Sequence, residues 1–345
     1  MPVHVDANGT REDNRGNAKA PRPNPLPELA EQPRECIHIG LVNNMAAAAF
    51  PATERQFVSL LESASEGIPI RLSLYTLSGI PRAEIVGKQT GSRYANVETL
   101  WDTQLDGLII TGREPLTPDL RDECYWESFT QVLEWARENT HSTVWSCLDA
   151  HAASLHMDGI RRRRSDDKHF GIFDCGRASH HALTAGLASR YSIPHSRWNG
   201  VAEEDLTAGG YTVLGRTADA GVDTFIKDEE SLFVFFQGHP EYESDTLLRE
   251  YRRDVGRYLR HEAENYPLLP RNYFDAKTED GLKALREEAM EHRGEGFVPG
   301  VAAALESIKI KNTWHGTAAL LYKNWLEIIY ARKTSSVQGS QAHVA

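Results

Sequence analysis

The chain has little cysteine. Its four thiols, Cys36, Cys124, Cys147 and Cys175, are widely spaced and form no CxxC pair. That spacing argues against a disulfide scaffold or a thiolate zinc site and fits a reduced, cytoplasmic protein. No run approaches the roughly 18–20 apolar residues of a membrane span. The N-terminal stretch has no apolar signal-peptide centre. There is no glycine-rich phosphate loop and no internal repeat. Basic charge is in deficit, with 38 Lys and Arg against 49 Asp and Glu, a formal net charge of −11. A broad nucleic-acid or anionic-membrane surface is therefore not expected. Arg161–Arg164 is the one short basic run, read as a solvated turn or a contact for a phosphate-bearing cofactor. His180-His181 has no carboxylate or cysteine at ligand spacing, so it reads as a loop, and no metal is expected.

What is present is a globular core: 40% of 345 residues are hydrophobic, enough for one large α/β domain or two smaller ones. Residues 1–35, with five prolines between Pro21 and Pro33, read as a disordered tail, as do residues 334–345. Between the tails strands and helices alternate. Ile37–Val42, Ile70–Tyr75, Leu105–Ile110, Thr143–Ser146 and Leu232–Phe236 read as buried strands. A helix capped by Thr53 runs through Phe57, Leu60 and Leu61, a long one spans Asp119–Asn139, and others span Ala150–Met157 and Asp245–Glu262. This alternation predicts a mainly parallel sheet flanked by helices over residues 36–265. A proline-rich link, Pro267–Pro270, then leads to a helical extension over 266–333 with helices near Thr278–His292 and Thr317–Ala331, read as a lid, a buttress or an oligomer contact.

Function in such sheets gathers at the carboxyl ends of strands, and three strand ends carry suggestive residues. Val-Trp-Ser-Cys-Leu-Asp-Ala-His (144–151) puts Cys147 at a strand-to-helix turn, where a side chain is exposed and new helix N–H groups point at whatever it attacks. Gln-Gly-His-Pro-Glu (237–241) offers His239 as a base and Glu241 to orient it. Thr111-Gly112 ends a third strand. The Leu148 N–H, with an N–H of Gly112 or Arg113, could hold a tetrahedral oxyanion. His151 and His156 read as packing or capping residues, and Cys36, Cys124 and Cys175 as structural.

Several ordered motifs resemble the homoserine O-acyltransferases of the MetA type (homoserine O-succinyltransferase-like). They are Gly-Leu-Val-Asn-Asn-Met (40–45), Thr-Glu-Arg-Gln-Phe (53–57), Asp-Gly-Leu-Ile-Ile-Thr-Gly (106–112), Trp-Ser-Cys (145–147), Pro-His-Ser-Arg-Trp (194–198), Gln-Gly-His-Pro-Glu-Tyr (237–242) and Arg-Arg-Asp-Val (252–255). The resemblance implies a class I glutamine amidotransferase-like, flavodoxin-like three-layer fold. It implies a Cys147 acyl-thioester formed from acyl-CoA as co-substrate, with no bound cofactor, His239 as base and Glu241 as its partner. Lys168, Ser196 and Arg253 would contact the amino-acid acceptor, L-homoserine or L-serine. Helical periodicity sets Arg253 nearly opposite the apolar stripe of its helix, so this role requires that polar face to look into the cleft. The residue implied to choose between succinyl and acetyl donors, where Glu favours acetyl, falls at Leu116 by ungapped counting, with Glu114 close by. A carboxylate there would repel a succinyl group and Arg113 would attract it; succinyl is the slightly favoured reading. Two departures stand out: Ala46 where a proline is usual, and Asp149 where a small residue is common, either of which could mark altered substrate preference. A glutaminase-type amidotransferase with the same triad is the alternative, but the turn at Cys147 lacks that class's flanking glycines. A homodimer is the expected assembly.

Overall fold

The computed structural model describes residues 3–6, 35–46, 48–80, 93–294, 296, 298–306 and 308–342. Its central feature is one eleven-stranded sheet. In chain order the elements begin with β1 (Val3–Val5), β2 (Ile37–Asn43), α1 (Phe50–Ala64), β3 (Ile70–Thr76), β4 (Tyr94–Asn96) and β5 (Gly107–Thr111). There follow α2 (Trp126–Asn139), β6 (Ser142–Ser146), α3 (Leu148–Asp158), β7 (Arg163–Arg177), β8 (Arg190–Gly200), α4 (Glu203–Ala208), β9 (Thr212–Thr217), β10 (Gly221–Asp228) and β11 (Leu232–Phe236). The chain ends in α5 (Thr246–Leu259), α6 (Ala276–Glu291), α7 (Val298–Glu306) and α8 (His315–Ala342).

The strand order is β1-β3-β2-β5-β6-β11-β10-β9-β7-β8, with β4 beside β3. From β1 to β11 the pairings are parallel; from β11 to β8 they are antiparallel. The parallel strands are short and buried on both faces, as helix-covered strands must be. Alternation along β6 shows the two faces. Trp145 packs edge-on against Phe129 of α2, their rings 5.5 Å apart. Ser142, of opposite parity, accepts a 2.9 Å hydrogen bond from Trp325 Nε1 of α8. Phe236 likewise stacks on Tyr322 of α8.

Several boundaries differ from the sequence reading. Val3–Val5, in the stretch expected to be disordered, adds a parallel edge strand on Ile70–Leu72. Three alternating residues gave too little periodicity to be recognised. Residues 1–2 and 7–34 of that stretch lie outside the described residues. The last helix continues to Ala342, into the expected tail. The supposed extension over 266–333 is divided. Leu321, Tyr322, Trp325, Leu326 and Ile329 of α8 belong to the main core, while α6 and α7 pack on α5 in a second cluster. Thr53 is not a cap: α1 begins at Phe50, and Thr53 Oγ1 bonds back to Ala49 O. Leu120–Asp122 is a separate single turn before α2. Arg161–Arg164 is not a turn, because β7 begins at Arg163.

Candidate active site

Cys147 ends β6 and starts α3 with φ +52° and ψ −109°. A non-glycine residue at positive φ is strained, and such strain persists only where its surroundings fix it. Here the Cys147 N–H is held by Phe236 O at 2.7 Å, across the β6–β11 seam, and its C=O accepts from Ala150 N. The turn makes Cys147 partly exposed while its neighbours Ser146 and Leu148 stay buried. Leu148 N–H is among the first donors of α3, which have no intrahelical acceptor. Gly112 faces them: a Cβ on it would lie 2.6 Å from Leu148 Cβ and 2.9 Å from the amide nitrogens of Leu148 and Asp149. Only glycine leaves that approach open.

The turn after β11 is held just as firmly. His239 N donates to Pro194 O at 2.8 Å, Gln237 N to Asp223 O at 2.8 Å, and Gly238 N to Asp223 Oδ1 at 3.2 Å. A Cβ on Gly238 would sit 2.6 Å from that same carboxylate oxygen. The buried Gln237 side chain donates to Val222 O and accepts from Val201 N and His151 Nε2. These contacts bring the His239 imidazole close enough to Cys147 for the charges of the two side chains to interact. His239 Nδ1 lies 2.8 Å from Glu241 Oε1. Burial opposes charge on His239, but the charges of Cys147 and Glu241 overcome it and hold the imidazole well above its ordinary value. The ring stacks on Tyr242 at 4.2 Å. The three residues named from two sequence motifs thus form one array.

A buried polar chain supports the array from behind. Arg197 Nε donates to His195 Nδ1 at 3.2 Å, and His195 Nε2 lies 3.2 Å from Asp223 Oδ1. Burial pushes His195 down to about 4, so it bridges the two charges as a neutral ring. Burial also lowers Arg197, to about 10, against the opposing pull of Cys147 and Asp223. Asp223 is itself desolvated, yet His195 and Thr224 hold it below the usual carboxylate range. Burial drives His151 down to about 3. That neutral ring and His156, 2.8 Å from Glu134, serve as structural partners.

The acceptor-contact candidates converge on a residue that the sequence reading missed, Glu250 of α5. Ser196 Oγ donates to Glu250 Oε2, and Tyr242 Oη to Glu250 Oε1 at 2.6 Å. Lys168 Nζ is 3.8 Å from Glu250 and 3.6 Å from Asp254, over the Phe170 ring at 4.1 Å. Arg253 stands at the rim, half exposed, bonded to Asp254 at 2.8 Å and within reach of the charges of Glu250 and Glu114. Position on α5 one turn before Asp254 was the available signal for Glu250, since i and i+4 share a face.

The donor-choice loop is open. Leu116 is 70% exposed. Glu114 points outward, 3.8 Å from Arg257. Arg113 Nε and Arg162 Nη1 are buried donors without a hydrogen-bond partner, and the charge of Arg162 reaches Cys147. Among the described residues, no group of His, Cys, Asp and Glu is arranged to hold a metal ion, and no helix is long and apolar enough to cross a membrane.

A three-layer α/β chain with a thiol, an imidazole and a carboxylate gathered at its strand ends is, by fold and site, of the acyl-transfer class. Comparison with known proteins sharpens this. The family model described as homoserine O-succinyltransferase matches residues 27–336. A homoserine O-succinyltransferase of Rhodopseudomonas palustris is 45% identical over 84% of this chain and 87% of its own length. One of Bradyrhizobium japonicum is 42% identical over 84% and 89%. A solved glutamine amidotransferase of Thermotoga maritima is 9% identical, with a TM-score of 0.46 over 85% of this chain and 98% of that one. The chain belongs to the homoserine O-succinyltransferase family, and it is an acyltransferase.

Proposed function

We propose that this enzyme moves a succinyl group from succinyl-CoA to the hydroxyl of L-homoserine through a thioester on Cys147, a step toward methionine. The observation that carries the reading is Cys147 at positive φ, beside a His239 that Glu241 orients. Cys147, its proton passed to His239, attacks the thioester carbonyl of the donor. The oxyanion is met by Leu148 N–H and an N–H of Gly112 or Arg113. The tetrahedral species collapses, its C–S bond to CoA breaks, and the CoA sulfur takes the proton from His239. The homoserine hydroxyl then gives its proton to His239 and attacks the acyl-Cys147 carbonyl. Collapse forms the ester and breaks the acyl C–Sγ bond, and Cys147 leaves as a thiolate that takes the proton back from His239.

Glu250 offers a carboxylate to the acceptor's ammonium, while Lys168 and Arg253 offer cations to its carboxylate. A dicarboxylic donor is favoured by the unpartnered guanidinium N–H groups of Arg113 and Arg162, and by Glu114 pointing away to Arg257. Incubation with succinyl-CoA and no acceptor should add one succinyl mass to the peptide carrying Cys147, chased off by homoserine. Parallel incubations with acetyl-CoA as donor, and with serine as acceptor, test both choices. Transfer that proceeds with Cys147 unmodified rules the thioester out.

A further inference from the structure

Asp149 lies two residues beyond Cys147 in the first turn of α3, and it is completely buried. It has one hydrogen bond, from Asn44 Nδ2 to its Oδ2 at 3.3 Å. Its other oxygen, Oδ1, has no partner, and neither does Asn44 Oδ1. The orphaned atoms are thus two acceptors, one on each member of a single buried pair. A carboxylate cannot satisfy Asn44 Oδ1, because it has no hydrogen to give. A carboxylic acid can. One added proton supplies both missing partners at once.

We propose that Asp149 is a positioning residue working as a neutral acid, its Oδ1–H donating to Asn44 Oδ1 and closing an acid–amide ring with the existing Nδ2–H···Oδ2 bond. The inference rests on the reading of Cys147 as the nucleophile. Asn44 N–H donates to Thr111 Oγ1 at 3.1 Å, immediately before Gly112. The ring therefore fastens the first turn of α3 to the ends of β2 and β5, between which the oxyanion donors stand. Burial raises the Asp149 carboxyl to about 7, against the opposing effect of the Asn44 bond. The facing groups are few. Asn44 comes from the end of β2, and Tyr125, ahead of α2, interacts with Asp149 and also with Glu123 and Arg113. Cys147 precedes Asp149 on its own element. Ionisation above neutrality leaves two unshielded acceptors facing each other and opens the ring.

Asp149→Asn tests this, since an amide–amide pair keeps both hydrogen bonds and cannot ionise. The readout is the single-turnover rate of Cys147 acylation across pH, taken as the ratio of variant to wild type, in which other titrations cancel. The ratio should stay within about twofold of one at pH 6 and rise severalfold by pH 8.5, while Asp149→Ala should be slower than Asp149→Asn throughout. A ratio independent of pH, or equal rates for the Ala and Asn variants, overturns the proposal. The wild-type minus Asp149→Asn infrared difference spectrum gives a second test that needs no activity. It should contain a protonated-carboxyl band below pH 7 that fades above it, and its absence at low pH also overturns the proposal. Failure to trap acyl-Cys147 would instead refute the nucleophile reading and leave the infrared result standing.

Discussion

The two halves of the sheet contribute differently. The parallel half, β2, β5, β6 and β11, ends in the atoms proposed to react: the Thr111–Gly112 loop, Cys147, and the turn carrying His239 and Glu241. The antiparallel half, β7 to β10, supplies Lys168 and Ser196, proposed to meet the acceptor, and His195, Arg197 and Asp223 behind the proposed base. Short strands buried on both faces fix where a strand ends, and so where a thiol and an imidazole meet. Long strands with one polar flank bring charged side chains from distant parts of the chain together. Variants should divide along the same line, with losses of chemistry in the first half and losses of positioning or binding in the second.

The largest effect is expected from Glu241→Gln in the parallel half. Its Oε1 is 2.8 Å from His239 Nδ1, and its charge helps to hold the imidazole above its ordinary value. The amide keeps the shape, loses the charge and can present a donor to the ring. A kcat loss of about 10²–10⁴-fold with little change in KM is expected from triads altered in this way. Steady-state kinetics with both substrates varied checks it. A loss under about fivefold would mean that Glu241 is only packing, and the division between the halves would fail at its strongest point.

Asp223→Asn carries the test into the antiparallel half. The carboxylate is fully buried, holds Gly238 N–H, and answers the Arg197 charge through neutral His195. Removing the charge takes away the carboxylate that answers the buried Arg197, a loss that typically costs about 3 kcal/mol of stability. A small shift of the 237–241 turn should lower kcat by about tenfold, since misplacing a base by a fraction of an ångström is costly. Thermal unfolding and kcat measured on one preparation separate the two effects. Loss of stability with unchanged kcat would show that the support does not reach His239.

The parallel half was legible in the sequence. Leu232–Phe236 is buried at every position, Ser142–Ser146 likewise, and each run stops within three residues of one able to do chemistry. The antiparallel half was not. β7 opens with Arg163, Arg164, Ser165, Asp166, Asp167 and Lys168, and burial begins only at Phe170, so no strand period is apparent. His195 and Arg197 look like surface residues until Asp223, on a strand far along the chain, supplies the counter-charge. Ser196 and Lys168 were marked by motif, but Glu250, which ties them together, lay in a helix whose apolar stripe drew attention to its other face. Asp149 was legible as an oddity; its burial, and its pairing with Asn44 across 105 residues, were not.

The smallest effect, and the most discriminating, is expected from Ser196→Ala. Ser196 Oγ donates to Glu250 Oε2, whose Oε1 is held by Tyr242. Tyr242 in turn stacks on His239, so this hydroxyl is three contacts from the proposed base. If Glu250 receives the acceptor's ammonium, losing the hydroxyl frees one rotation of the carboxylate without removing its charge. The KM for homoserine should then rise by about three- to tenfold, one hydrogen bond's worth at roughly 1 kcal/mol, while the rate of Cys147 acylation by succinyl-CoA stays the same. Measuring acylation without acceptor, and deacylation at varied homoserine, isolates the two half-reactions. A slowed acylation step would place Ser196 with the reacting groups, so that the antiparallel half would do more than present the acceptor.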